Sequence, residues 1–388
     1  KDKTGWKAYE VKSSTSVTET YHLDATIQYY TITNSGIDLK DIFIVHINNE
    51  YQKDGPIDVK QLFHFESVQN EVLEILPSIP AQVAELKKVL LQKEIPQVDI
   101  GPHCSNPYGC DFAGHCWKHI PDYSIFNISR LTGDKKFELY NNGIINFIDI
   151  PDDAPLNDNQ WMQVNSELNN ETIIDKANIK EFVRDLNYPL YFMDFETFST
   201  AVPIFDKSRP YQQLVFQYSL HVLPKENGKL IHKEYLAETN GIDPRINFIE
   251  QLIADCGNKG DILVYNIGFE RGKLNELAEV FPQYSLSIEK ITERMKDLML
   301  PFQKRWYYTP QMKGSYSIKK VLPALVPELS YDNLNISEGG TASNTFAAMV
   351  SGNFEGNAEQ TRKDLLAYCK LDTFAMVKII ERLIQTTK

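Results

Sequence analysis

The run Leu190-Tyr-Phe-Met-Asp194-Phe-Glu196-Thr197 decides how the chain is read. Four apolar residues lead into two acids separated by one residue. In a strand, successive side chains point to opposite faces, so residues i and i+2 share a side. Asp194 and Glu196 therefore project together from the end of an apolar strand over 189–195. Adjacent carboxylates repel unless a cation lies between them, and hard oxygen donors suit Mg²⁺ or Mn²⁺. Strand-end acids in water are the plainer alternative.

Outward from this strand, periodicity predicts strands over 212–222 and 231–236 and a helix over 244–256. A short buried strand over 261–265, a helix over 270–281 and a long amphipathic helix over 360–386 follow. Strands that give way to alternating helices fit an α/β layered domain. Two of these elements carry further signals. In Val264-Tyr-Asn266-Ile-Gly-Phe269-Glu270 a buried strand runs into an acid at a helix start, where capping would also favour a carboxylate. In Ala367-Tyr368-Cys-Lys-Leu-Asp372, Tyr368 and Asp372 stand four apart and share a helix face.

An Asp-x-Glu strand, an Asn-x-x-Phe-acid element and a Tyr-x-x-x-Asp helix, in that order, resemble the DnaQ-like 3′–5′ exonucleases of the Tyr subtype. The resemblance implies an RNase H-like domain whose mixed sheet is flanked by helices. It implies that Asp194, Glu196, Glu270 and Asp372 hold two Mg²⁺ or Mn²⁺ for phosphodiester hydrolysis, with Tyr368 orienting or deprotonating the water. That family usually has Asp where this chain has Glu270, which leaves Asp297 as the competing ligand. The runs at 188–198, 210–221 and 314–320 also resemble a bacterial family of uncharacterised proteins. Its members join such an exonuclease domain, here covering 181–386, to a RecB-like nuclease region.

Residues 290–320 hold eight Lys or Arg against two acids, with aromatics interleaved. Arg294, Lys304, Arg305, Trp306, Tyr307 and Lys319 are the candidates there for gripping a strand of unpaired bases. A solvated basic face over core aromatics is the alternative.

In the first half, a strand running into a polar turn is expected over 7–17 and a strand over 41–47. Helices are expected over 23–33 and 67–93, the latter holding Pro77 and Pro80. Ala8-Tyr-Glu10-Val-Lys12-Ser-Ser resembles the end of a PD-(D/E)xK core of the RecB type. The resemblance implies that Glu10 binds metal, that Lys12 steadies developing charge, and that Gln28 is the matching helix residue. It also requires an upstream Asp. Asp2 lies only eight positions before Glu10, so the chain is expected to be a fragment lacking its N-terminus. In Gly101-Pro-His103-Cys104-x5-Cys110-x5-Cys116-Trp117 the cysteines resemble the C-terminal part of an iron–sulfur staple, implying a [4Fe–4S] cluster. Zinc with His103, His115 or His119 is one alternative, and free thiols are another.

The chain has 388 residues, 42% of them hydrophobic and 24% charged, which is globular composition. A net charge of −12 argues against a broad electrostatic grip on nucleic acid but not against a nuclease with acidic metal ligands. Five cysteines make no disulfide framework. No apolar run approaches the ~18 residues of a membrane span, so a cytoplasmic protein without membrane contact is expected. The predicted division is a partial RecB-like region over 1–120, a small helical segment and linker over 121–180, and the exonuclease-like domain over 181–388. The linker reading rests on six Asn and six acids against two Lys in 151–180. Nucleic acid, with single-stranded ends favoured, is the expected partner. A degenerate nuclease fold acting as a scaffold for nucleic acid or a protein is the alternative.

Overall fold

The computed structural model describes residue 1, residue 3 and residues 5–388. The chain forms two compact units, Lys1–His119 with Thr200–Gln212, and Ile120–Ser199 with Gln213–Lys388. No helix among the described residues is long and apolar enough to cross a membrane.

In the first unit, β1 (Trp6–Val11) runs parallel to β2 (Leu39–Ile47), and β2 pairs antiparallel with β3 (Phe63–Ser67). Helix Glu19–Asn34 covers this sheet through Ala25, which packs with Ile42, Ile44, Val68 and Val72. The helical period expected over 67–93 breaks at the prolines. Helix Gln69–Ile75 yields to a 3₁₀ turn at Leu76–Ser78, and helix Ile79–Leu90 restarts with Pro80 in its first turn, where a missing N–H costs nothing.

The stretch 151–180 is not a linker. Its asparagines cap helices instead of opposing them. Asn157 and Gln160 form a reciprocal capping box that starts helix Asp158–Asn169, and Asp175 accepts from Asn178 N to start helix Lys176–Arg184. Val164 on the first of these helices packs with Ile125, Ile128, Leu139 and Phe147. Between the helices, β4 (Ile173–Ile174) pairs antiparallel with β10 (Tyr307–Tyr308). This segment therefore belongs to the second unit and not to a domain of its own. Gly143, with φ +80°, lies in a turn, and Gly133 opens helix Gly133–Asn141.

The second unit is built on β5 (Leu190–Phe198), β6 (Leu214–Leu223), β7 (Ile231–Leu236), β8 (Ile262–Val264) and β9 (Met295–Asp297). Their order is β7-β6-β5-β8-β9; the first three are antiparallel and the last three parallel. Strand β5 is central and apolar on both faces. Leu190 and Phe192 pack with Ala375, Met376 and Ile379 of helix Ala358–Thr387. Tyr191, Met193 and Phe195 pack with Phe248, Ile249 and Leu252 of helix Arg245–Cys256. The two-residue period then sets Asp194 and Glu196 in the same row as Leu190 and Phe192, on the side of the long helix.

The aromatics of the basic stretch are core residues. Phe302, Tyr307 and Tyr308 lie in the same buried cluster as Leu190, and Trp306 packs against it. Tyr307 is thus buried, and Trp306 is partly buried against the same cluster. Arg294 is also committed elsewhere. Its guanidinium donates to the carbonyls of Cys256, Gly257, Lys259 and Gly260 and closes the end of helix Arg245–Cys256.

Candidate metal centre

Asp194 stands opposite Ser219 and Glu196 opposite Gln217, and the register slips immediately after Glu196. Such a bulge bends a strand and re-aims the residues beside it. Helix Ala358–Thr387 is held against this sheet by more than apolar packing. Thr373 Oγ1 lies 2.7 Å from Ser219 Oγ and 2.8 Å from His221 Nδ1, and Ser219 Oγ lies 3.0 Å from His232 Nε2. About two turns upstream, Gln217 Nε2 donates to Leu365 O at 2.8 Å. These bonds fix the helix's rotation, which turns Tyr368, Cys369 and Asp372 toward the acids of β5. Cys369 Sγ lies 3.8 Å from Asp194 Oδ2, and donor atoms of Asp194, Glu196 and Cys369 all fall within 4.8 Å of one another.

Three loop or helix-start residues close the site. Tyr331 donates to Asp372 Oδ1 at 2.6 Å. The Lys319 ammonium lies 5.7 Å from the Tyr368 ring centre and 5.8 Å from that of Tyr331, and donates to Ser337 O. Gly339 opens helix Gly339–Val350; a Cβ there would stand 3.7 Å from Tyr368 Oη and 3.8 Å from Glu196 Oε2, so both oxygens face one spot.

Glu270 comes from the first turn of helix Ile267–Val280, entered through Asn266 at φ +83°. It is 1% exposed, and its Oε2 has no hydrogen-bond partner among the described residues. Asp297 has a different task. Its carboxylate accepts from the backbone N–H groups of Asn266, Ile267 and Met299, so it staples the turn that delivers Glu270.

The four acids feel one another. Burial first, then the charges of Asp372, Glu196 and Glu270, hold Asp194 well above the usual carboxylate range. Burial and then Asp372 push Glu196 up to about 8, against the pull of Lys319. Burial, with Asp297 adding to it, pushes Glu270 up to about 8. Asp372 rises only to about 6, because hydrogen bonds from Tyr331 and Tyr368 and the charge of Lys319 offset its burial. Burial and the surrounding acids push the Tyr368 phenol up, so it keeps its proton and donates. Clustered, dehydrated carboxylates with one orphaned oxygen form a donor set that suits a hard divalent cation. The residues present fit Mg²⁺ or Mn²⁺ on that ground.

The other expected residues fall elsewhere. Lys12 Nζ is 2.9 Å from Glu10 Oε1 and 2.5 Å from Asp24 Oδ2, and Gln28 Nε2 donates to Asp24 Oδ1 at 3.4 Å. Asp24 was not anticipated; it sits one helical turn before Gln28 and joins it to Lys12. Asp2 lies outside the described residues. Cys104, Cys110 and Cys116 carry free thiols on a loop. Among the described residues, the one three-donor group within 4.8 Å is Asp194–Glu196–Cys369. Cys110 N donates to Cys104 O at 2.9 Å, and Cys116 ends the one-turn helix Ala113–Cys116. Tyr331 and Gly339 had no sequence signal. Cys369 had one, its place between Tyr368 and Asp372.

A family model described as "Domain of unknown function (DUF2779)" matches residues 191–317, which include Asp194, Glu196, Glu270 and Asp297. The chain is similar to the uncharacterized protein UU173 of Ureaplasma parvum, 30% identical over 57% of this chain and 35% of that protein. It is similar to the uncharacterized MG366 homolog of Mycoplasma pneumoniae, 30% identical over 48% of this chain and 31% of that one. MG366 of Mycoplasma genitalium, also uncharacterized, is 27% identical over 49% and 31%. The chain thus spans about a third of the length of the curated relatives it matches.

Proposed function

We propose that this chain is a divalent-metal-dependent nuclease, a 3′–5′ exonuclease acting on single-stranded ends of DNA or RNA from an RNase H-like domain. The observation that carries this reading is a set of buried acids: donor atoms of Asp194 and Glu196 lie within 4.8 Å of each other, Asp194 feels the charges of Asp372, Glu196 and Glu270, and Glu270 Oε2 has no partner among the described residues. A scaffold has no use for mutually repelling buried acids. The strand order β7-β6-β5-β8-β9, antiparallel then parallel, supports the RNase H-like assignment. The 3′–5′ polarity rests on the family resemblance alone.

In this reading Asp194, Glu196, Glu270 and Asp372 hold two Mg²⁺ or Mn²⁺. Bound there, the ions supply charge stabilisation to the attacking and leaving oxygens of the phosphodiester. Tyr331 fixes the carboxylate of Asp372. Tyr368, protonated and beside Glu196, donates to Asp372 and orients the attacking water. Lys319 brings positive charge to the phosphate. In the first unit, the Glu10–Lys12–Asp24–Gln28 group supports a RecB-like origin, with Lys12 occupied by two acids.

The test uses 5′- and 3′-labelled DNA and RNA strands with Mn²⁺ and with EDTA. Shortening from the 3′ end with Mn²⁺ only is expected, and Asp194→Asn should abolish it while melting as a folded protein. Unchanged degradation by that variant would refute the assignment.

A further inference from the structure

Two cavities in the second unit share the wall formed by Ser129, Arg130 and Tyr316. One, of about 570 Å³, reaches Asn266 and Ile318, the neighbours of the Glu270 helix and of Lys319. The other, of about 410 Å³, ends on Asn157, Asn159, Lys304 and Arg305. Arg130, Lys136, Lys304, Arg305 and Lys313 line the two cavities, and no acid among the described residues does so. This concentration of positive charge is notable in a chain of net charge −12.

Arg305 marks the inner end. It is 5% exposed, stacks 4.6 Å from the Tyr308 ring centre, and donates through Nη2 to Gly314 O at 2.8 Å. Its Nη1 is buried with no acceptor among the described residues. A guanidinium nitrogen held dry and unpaired is costly unless an anion completes it. The start of helix Asp158–Asn169 lies at the same wall, through its cap Asn157 and first-turn Asn159. Its dipole favours negative charge, the N–H groups of Asn157 and Gln160 being already taken by the capping box. Asp158 is exposed and does not line the cavity. Arg130 stands at the mouth, its guanidinium over the Tyr316 ring and bonded to the Tyr316 hydroxyl.

We infer that this pair of cavities is a phosphate-binding subsite for the sugar–phosphate backbone of the strand whose end lies at the carboxylate centre. Arg305, Arg130, Lys304 and the helix start at Asn157 receive the phosphates. The inference rests on the nuclease reading for the identity of the strand, and on the orphaned Arg305 nitrogen for the anion.

The test is binding without turnover: fluorescence anisotropy of a labelled oligothymidylate in EDTA across a salt series. The proteins are wild type, Arg130→Gln/Lys304→Gln, and the charge-matched control Lys87→Gln/Lys88→Gln. Each lost phosphate contact lowers the slope of log K against log salt by about 0.7 for a single strand. The Arg130/Lys304 variant should therefore show a slope smaller by about 1.4, and the control an unchanged slope. Both target side chains are exposed, so the fold is expected to survive, checked by thermal melting. A third variant, Arg305→Met, should weaken binding further if it stays folded. Calorimetric titration with inorganic phosphate separates the sources. Phosphate binding that the double variant loses, with oligonucleotide affinity and slope unchanged, would mean a small-anion pocket and overturn the strand subsite. Equal slopes in all proteins would overturn it as well. Cleavage is not needed for the readout. A protein that never cleaves but shows the slope change keeps the subsite and loses the nuclease reading, whereas cleavage with unchanged slopes does the reverse.

Discussion

At Glu270 a carboxyl group is buried, raised to about 8 and short of one hydrogen-bond partner. The folded state therefore binds this proton more tightly than the unfolded chain, whose value is near 4.5. Its stabilising contribution is complete below pH 4.5 and is lost as pH rises through about 8. In EDTA, wild type should lose stability relative to Glu270→Gln between pH 5.5 and 8, by up to about 1.4 kcal/mol per pH unit. Mn²⁺ should flatten that difference. Urea unfolding across the pH range checks it, and parallel curves for the two proteins in EDTA would count against a buried, strained acid. Tyr331 offers a second test. Tyr331→Phe removes the donor to Asp372 without opening a cavity, and should weaken Mn²⁺ binding on the order of tenfold with little change in melting temperature in EDTA. An unchanged Mn²⁺ titration would assign Tyr331 to packing alone. That Asp194 and Glu196 share one side of β5 was legible because the two-residue period needs nothing beyond the strand. The surroundings of Glu270 and Asp297 were not. They depend on a three-residue strand, β9, whose pairing with β8 aims Asp297 at the backbone of residues 266 and 267.

Among the elements, the long helix Ala358–Thr387 matters most, since its docking sets where Tyr368 and Asp372 point. Thr373 is fully buried and shares its hydroxyl with Ser219 and His221. Thr373→Val keeps the shape and strands those partners, which should cost about 1–3 kcal/mol in urea unfolding. Loss of metal response should exceed what that destabilisation alone explains, and an unaltered response would show that apolar packing suffices to orient the helix. This helix, β7 and helix Arg245–Cys256 were readable from periodicity because each is long or strictly alternating. The asparagine-rich 151–180 stretch was not. Asparagine disfavours a helix interior but favours its first position, and composition alone does not say which is in use. The basic, aromatic stretch at 290–320 likewise divides only in three dimensions: its rings enter the core while Lys304 and Lys319 stay exposed.

Across the whole molecule, the sequence reading puts a boundary near residue 120, and the chain clusters into Lys1–His119 with Thr200–Gln212 and Ile120–Ser199 with Gln213–Lys388. The excursion of Thr200–Gln212 was not visible. It lies between two strands of one sheet yet belongs with the first unit, where the backbones of Lys53 and Lys207 exchange hydrogen bonds with Ser208 and Lys53, and Tyr211 bonds to Ser13 O. No composition shift announces it.

That excursion has a practical corollary. The polypeptide passes from one body to the other three times, after residues 119, 199 and 212, so a single cut cannot separate them cleanly. An expression clone starting at 120 would carry a thirteen-residue loop deprived of the backbone it bonds to, and the complementary clone would lack a stretch of its own wall. Dissecting the two bodies calls for replacing Thr200–Gln212 with a short linker in one clone and supplying it as a peptide to the other.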